Sequence, residues 1–134
     1  MKISFDFDEC LSEDYIQVIA KSLVDSGHDV WVISARAIYA NTVDAISYIK
    51  LFDKDIIEVC NKIGIDISKI IITGGPYKHD EYFNGNFDLH FDDDWEEVLL
   101  INNRGGNAIL VKPDYEVIYR EMQYKNNEKG KNDI

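Results

Sequence analysis

Cysteine, proline and long apolar runs are scarce in this chain. Its 134 residues include only two cysteines and two prolines. Cys10 and Cys60 do not make the disulfide framework of a small secreted domain, and neither has the Cys or His spacing of a zinc site. No stretch reaches the roughly 18 apolar residues that a transmembrane helix needs, so no membrane partner is predicted. We therefore expect a protein of the reducing cytoplasm.

Basic residues are also few. Lys and Arg number 14 against 25 Asp and Glu, which gives a net charge of -11. This charge disfavours broad contact with a nucleic-acid backbone or an anionic lipid surface. The first residues, MKISFDFDE, carry acids where a signal peptide needs an uninterrupted apolar stretch, so export by that route is not expected. A chain of this length is predicted to form one domain with one core.

Short apolar runs alternate with segments of helical periodicity along most of the chain. Strands are predicted within Lys2–Cys10 and at Asp29–Ala35, Lys69–Thr73, Asp88–Phe91 and Asn107–Val111. Helices are predicted from Ser12 to Ser26, within Ala40–Ile65 as one helix or two, around Tyr77–Phe83, and from Asp94 to Asn103. This alternation predicts an α/β fold, a Rossmann-like three-layer sandwich with a central parallel sheet of about five strands.

Polar side chains follow three of the predicted strands. They are Asp6 and Asp8 after the first strand, Ser34 and Arg36 after the second, and Asp92, Asp93 and Asp94 after the fourth. Because the carboxyl ends of parallel strands lie at one edge of a sheet, these side chains are expected to share a site, with Lys78 between them in sequence. Clustered carboxylates need a compensating cation, and oxygen ligands favour Mg²⁺ over zinc. A magnesium site with a lysine and a hydroxyl indicates phosphoryl chemistry.

Asp6 and Asp8 place a condition on the backbone. For both carboxylates to bind one ion, the chain is expected to leave the strand and turn at Asp8. The sequence therefore predicts a turn at Asp8, where a backbone carbonyl can assist in binding the ion.

The strings DFDEC, VISAR, GGPYK and HFDDDWEE occur in an order that resembles the haloacid dehalogenase superfamily of phosphotransferases. That family has DxDx(T/V) after its first strand, Ser or Thr after the second, then a Lys, and an acidic pair after the fourth. The resemblance covers roughly Lys2–Val111. It implies a haloacid dehalogenase-like catalytic domain at residues 1–113, and residues 114–134 are then a carboxyl-terminal extension with a polar end.

The resemblance also implies a role for each matching residue. Asp6 is the nucleophile and a metal ligand, Asp8 is the general acid and base and gives its backbone carbonyl to the metal, Ser34 holds a phosphoryl oxygen, Lys78 pairs with the phosphate and Asp6, and Asp93 completes the Mg²⁺ site with Asp92 beside it. Arg36 joins Ser34 and Lys78 as a candidate substrate-binding residue. Which of the three consecutive acids touches the metal directly stays open, and alignment of the acidic motif favours Asp93, with Glu97 as the second acid.

The sequence indicates the class of substrate less narrowly than it indicates the type of reaction. The intervals between motifs leave no room for a substantial cap domain, so the site is expected to be open, or covered by a partner subunit in a homodimer. VISAR and the YKH to HFDD strings are similar to those of deoxyribonucleotidases and polynucleotide 3'-phosphatases. A phosphorylated small molecule, above all a nucleotide, is therefore the expected partner, and a nucleic-acid end is a possible one.

Two classes of function follow from these observations. The first is a magnesium-dependent phosphomonoesterase that works through an aspartyl phosphate on Asp6. The alternative is a metal-binding or regulatory protein of the same fold without significant turnover. The short chain, the missing cap and Cys10, which stands where the family motif has Thr or Val, motivate this alternative.

Overall fold

Five parallel strands form the central sheet. The computed structural model describes residues 1–39 and 43–111. The strands are β1 (Lys2–Phe5), β2 (Asp29–Ser34), β3 (Ile70–Ile72), β4 (Leu89–Asp92) and β5 (Ala108–Leu110). They lie in the order β3-β2-β1-β4-β5, and every neighbouring pair is parallel. The predicted α/β, Rossmann-like architecture is confirmed.

Helices connect the strands and cover the sheet. They are α1 (Asp14–Asp25), α2 (Ala45–Phe52), α3 (Lys54–Ile63), α4 (Lys78–Asn84) and α5 (Trp95–Asn103), with a short 3₁₀ turn at Ile67–Lys69. The segment predicted as one helix or two contains two in its described residues 43–65, because the backbone leaves helical geometry at Asp53, where φ is -124° and ψ is 44°. Gly64 ends α3 in the left-handed region with φ 99°, a conformation that favours glycine.

Apolar residues pack on both faces of the sheet. The larger group includes Ile3 and Phe5 of β1 and continues into α1 and α3. The smaller group joins Ile33 of β2 to Tyr82 of α4 and Ile101 of α5. Because side chains alternate along a strand, the first group occupies one face and the second group the other. The result is a three-layer structure with the sheet in the middle.

The strand order reverses between β1 and β4. In an open α/β sheet the crevice at such a point, beyond the carboxyl ends of the strands, is where ligands bind. Within residues 1–39 and 43–111, a short irregular turn at Phe7–Leu11 and helix α1 lie between β1 and β2, and α2, α3 and the 3₁₀ turn lie between β2 and β3. This edge of the sheet therefore carries no inserted domain in the described part of the chain.

Two further expectations concern the ends and surroundings of the domain. The predicted extension at residues 114–134 lies outside the described residues. None of the helices described is both long enough and apolar enough to cross a membrane.

Candidate active site at the carboxyl edge of the sheet

An irregular turn at Phe7–Leu11 directs the residues that follow β1. The amide of Leu11 donates to the carbonyl of Asp6 at 3.0 Å, and the amide of Ser12 donates to the carbonyl of Phe7 at 2.9 Å. Glu9 lies in the left-handed region with φ 58°. Wide turns of this kind are frequent at functional sites, and a non-glycine residue at positive φ is uncommon. The predicted change of direction near Asp8 is present.

The turn separates the two aspartates of the first motif. Asp6 is buried at 5% exposure. The Asp8 side chain is 57% exposed and lies against Arg36. The carboxylates of Asp6 and Asp8 therefore face different partners, and only Asp6 reaches the acidic cluster of the sheet edge.

That acidic cluster consists of Asp6, Asp92 and Asp93. One carboxylate oxygen from each residue lies within 4.8 Å of the others. The Asp93 carboxyl is also close enough to raise the pKa of both Asp6 and Glu9. Carboxylates approach one another this closely only when a proton or a cation compensates their charge. The cluster offers hard oxygen ligands of the type that Mg²⁺ prefers.

Lys78 supplies the positive charge within the protein. It is the first residue of α4 and is buried, and its Nζ lies 3.2 Å from Asp6 Oδ1 and 2.8 Å from Asp92 Oδ2. One ammonium group thus contacts the carboxylates that follow β1 and end β4. Lys78 is the group that joins the two strands electrostatically.

Asp92 is anchored from several directions. Its Oδ2 contacts His90 Nε2 at 2.8 Å, and its Oδ1 accepts from Lys78 at 3.1 Å and from the Asp94 amide at 3.0 Å. The other ring nitrogen of His90 contacts the Ser4 hydroxyl at 2.7 Å. A chain of buried hydrogen bonds therefore runs from Ser4, in the middle of β1, through His90 to Asp92 at the site. Both oxygens of Asp92 already have hydrogen-bond partners within the protein. Asp92 is buried, whereas Asp93 is only partly buried.

Burial and these contacts shift the acidity of the cluster. Burial raises the pKa of Asp6 to about 9, and the Asp92 carboxylate adds to the rise. Burial also disfavours the ionised form of Asp92, but the hydrogen bond from His90 and the charge of Lys78 outweigh it and lower the Asp92 pKa. Burial opposes the charge of Lys78, yet Asp6 and Asp92 raise its pKa above the ordinary value. Without a further cation, Asp92 and Lys78 form the ion pair and Asp6 holds a proton.

Ser34 and Arg36 follow β2 at the same edge. Ser34 is fully buried, and its hydroxyl accepts from the Arg36 amide at 3.2 Å. The Arg36 guanidinium donates to both oxygens of Asp8 at 2.8 and 2.9 Å, to Asp53 at 3.1 Å, and to both oxygens of Asp55 at 2.6 and 2.8 Å. Arg36, which was predicted to bind substrate, is therefore already held by three carboxylates.

The remaining acids of the fourth motif have local partners. Asp94 accepts from the Glu96 amide at 3.0 Å and so caps α5. Glu97 is buried and lies 2.9 Å from His79 Nδ1 and 3.1 Å from the His79 amide. The structure thus places Glu97 against α4, where it fixes the residue next to Lys78.

Both cysteines are free and buried. The Cys10 thiol lies 3.7 Å from the Phe91 carbonyl, so it occupies a packed position behind the turn. Burial raises the pKa of Cys10, and burial raises the pKa of Cys60 to about 12. Neither thiol is therefore ionised near neutral pH, and neither serves as a nucleophile.

Several site residues were not predicted. Glu9 lies within the first motif, where the sequence indicates no role for it, and its left-handed backbone accompanies its approach to Asp93. His90 has the signal of a polar residue inside an apolar strand, which indicates a buried hydrogen-bond network. Asp53 and Asp55 carry no signal in the sequence, because their contact with Arg36 arises from the packing of α3 against the sheet edge.

Arg36→Lys is expected to lower the free energy of unfolding by about 1–3 kcal/mol near neutral pH, because an ammonium group with three donors cannot reproduce the five hydrogen bonds that the guanidinium makes to the three carboxylates. The hydrogen bonds from Arg36 lower the pKa of Asp55 below its ordinary value of 3.8. A carboxyl with a lowered folded-state pKa contributes stability above its unfolded pKa and loses it as the pH falls through the folded pKa. Urea denaturation near pH 7 and near pH 3 is expected to show the difference between variant and wild type shrinking in acid. An equal difference at both pH values would contradict the ion-pair interpretation.

No protein-family model matches this chain, and no curated protein matches it.

Proposed function

We propose that this protein is a magnesium-dependent phosphomonoesterase of the haloacid dehalogenase type that forms an aspartyl phosphate on Asp6. The observation that carries the proposal is the contact of Lys78 with Asp6 and Asp92 beside Asp93, at the point where the strand order reverses. A buried carboxylate with a cation at its side is suited to attack a phosphoryl group, since the cation offsets the charge of the incoming phosphate.

The acidic cluster fits a magnesium ion. Both oxygens of Asp92 accept hydrogen bonds within the protein, so Asp6 and Asp93 are the carboxylates that bind the ion directly, and Asp92 orients Lys78. The backbone carbonyl of Asp8 is the further protein ligand that the family resemblance implies. When bound, the cation supplies the positive charge that keeps Asp6 ionised and neutralises phosphoryl oxygens.

The proposed reaction has two steps on the chain's own residues. An Asp6 oxygen forms a bond to phosphorus, the ester P–O bond breaks, and the departing oxygen takes a proton from Asp8. Asp8 then removes a proton from water, the water oxygen bonds to phosphorus, and the acyl phosphate bond breaks to give inorganic phosphate and free Asp6. The Ser34 hydroxyl and Lys78 hold phosphoryl oxygens during both steps.

Asp8 must leave Arg36 to perform this role. Arg36 engages both Asp8 oxygens, so proton transfer requires the Asp8 side chain to rotate from the guanidinium towards the substrate. The same contact favours the second candidate function, a metal-binding or regulatory protein without significant turnover. In that case the Asp8–Arg36 pair is permanent and the acid-base step is absent.

Phosphate release separates the two candidates. Wild-type protein is assayed on a generic aryl phosphate and on a nucleotide panel, with and without Mg²⁺, and Mg²⁺ binding is measured in parallel by calorimetry. Magnesium-dependent release supports the phosphatase. Magnesium binding with no release from any ester supports the regulatory alternative, and salt-sensitive binding of a 3'-phosphorylated oligonucleotide identifies a nucleic-acid end as the target.

A further inference from the structure

A cavity of about 350 Å³ lies next to Arg36, on the β2 side of the proposed active site. Its lining consists of Arg36, Ala37, Tyr39, Tyr48, Phe52 and Asp53. The volume falls within the range of about 300–1,000 Å³ that is typical of small-molecule sites. Nothing in the proposed hydrolysis uses this cavity.

Aromatic rings form much of its wall. The rings of Tyr48 and Phe52 lie 4.7 Å apart. The Tyr48 hydroxyl accepts from the Tyr39 amide at 2.9 Å and donates to the Ala37 carbonyl at 3.3 Å, which fixes the backbone after β2. Phe52 is 50% exposed and Tyr39 is 82% exposed. Two rings with free surface beside a fixed third ring are suited to stack against a planar ligand.

Asp53 gives the cavity a hydrogen-bond acceptor. The residue is 4% exposed and its Oδ1 accepts from Arg36. Its Oδ2 is buried and has no hydrogen-bond partner among the described residues. A buried carboxylate oxygen without a donor is costly, so a group with an N–H bond that reached it would be bound favourably. Asp53 lines the cavity, so this oxygen belongs to a side chain that a ligand in the cavity would contact.

Arg36 connects this cavity to the phosphate site. It lines the cavity and also contacts Asp8, the residue proposed to protonate the leaving group. For a substrate whose leaving group is protonated by Asp8, Arg36 therefore lies on the side of that leaving group and borders the cavity. The single charge of Arg36 is outweighed by Asp8, Asp53 and Asp55. This excess of negative charge disfavours a second phosphate and favours a neutral group with N–H donors.

We infer that this cavity is a nucleobase pocket, in which a base stacks on Phe52 and Tyr39 and donates an amino N–H to Asp53. The inference rests on the proposed function in that it places the phosphate of the same molecule at Asp6. It names a mononucleotide with an amino-bearing base as the substrate class. A nucleic-acid end, which brings further phosphates to the acidic surroundings, is disfavoured.

The first experiment compares kcat/KM for nucleoside monophosphates with kcat/KM for ribose 5-phosphate, which lacks the base. Wild type is expected to prefer the nucleotides, and Phe52→Ala is expected to reduce that preference about tenfold, the usual scale of one stacking contact. Leu51→Ala is the matched control, because Leu51 is exposed on the same helix and does not line the cavity. Equal use of ribose 5-phosphate and nucleotides by the wild type would overturn the inference. An oligonucleotide end used better than any mononucleotide would overturn it as well.

The second experiment does not depend on catalysis. Unphosphorylated adenosine, cytidine, guanosine and 3-methyluridine are titrated into wild type and Asp53→Asn, and binding is followed by NMR. The base of 3-methyluridine has no N–H donor, so wild type is expected to bind the three amino-bearing nucleosides more tightly, and Asp53→Asn is expected to weaken that discrimination. Such binding without hydrolysis of any ester would retain the pocket and refute the phosphatase. Hydrolysis without nucleoside binding at this cavity would retain the phosphatase and refute the pocket.

Discussion

Asp6→Asn is expected to abolish magnesium-dependent phosphate release, with a fall on the order of 10⁴-fold or more, as is usual when a nucleophile is removed. An amide cannot form the acyl phosphate, and it does not supply the anionic ligand that a divalent cation prefers. The measurement is phosphate release under saturating Mg²⁺ with the best ester of the panel. A rapid-quench search for phosphorylated protein, present in wild type and absent in the variant, tests the intermediate directly.

The stability of this variant makes the result interpretable. Burial raises the Asp6 pKa to about 9, so the side chain is neutral near pH 7 when no added cation is present. Asparagine has the same shape and is also neutral, and we expect thermal unfolding of the metal-free variant close to that of wild type. Asp25→Asn serves as the control for loss of a carboxylate, because Asp25 lies at the exposed end of α1 and pairs only with Lys21 among the described residues. Retention of most of the wild-type rate by Asp6→Asn would contradict the nucleophilic role.

The architecture could be predicted because its signals are local. Runs such as DVWVIS and III are apolar and β-branched, and each is a strand within one or two residues of the predicted bounds. The alternation of such runs with helices allows few topologies other than a parallel sheet. The sequence does not decide between one helix and two in this region. An aspartate at position 53 is compatible with a helix interior, and its non-helical backbone is set by packing.

The sequence predicts the location of the site better than it predicts which side chains contact one another there. Asp6, Lys78 and the acids after β4 meet because the carboxyl ends of β1 and β4 are adjacent, which the motif order already implied. The separation of Asp8 from Asp6 could not be read from the sequence, since it depends on the positive φ of Glu9 and on Arg36. Side-chain direction after a strand is decided by the turn, and the sequence indicates that a turn is needed without giving its form.

Lys78→Met is expected to lower the free energy of unfolding of the metal-free protein by about 3–5 kcal/mol, the usual cost of removing one partner from a buried ion pair. Methionine fills a similar volume but leaves the buried, ionised Asp92 without its ammonium partner, and Asp6 loses its contact with the same group. The measurement is urea denaturation in the presence of a chelator. Lys21→Met is the matched control, because the Lys21–Asp25 pair is exposed and such pairs are worth about 0–1 kcal/mol.

Magnesium distinguishes a functional cation site from a purely structural ion pair. If Asp6 and Asp93 bind Mg²⁺, the added cation supplies positive charge where Lys78→Met removed it, so Mg²⁺ is expected to restore part of the lost stability. The same addition is expected to stabilise Lys21→Met no more than wild type. A Lys78→Met protein that is strongly destabilised and gains nothing from Mg²⁺ would show that Lys78 holds the sheet edge together without a metal, and it would count against the phosphatase and the metal-binding alternative alike.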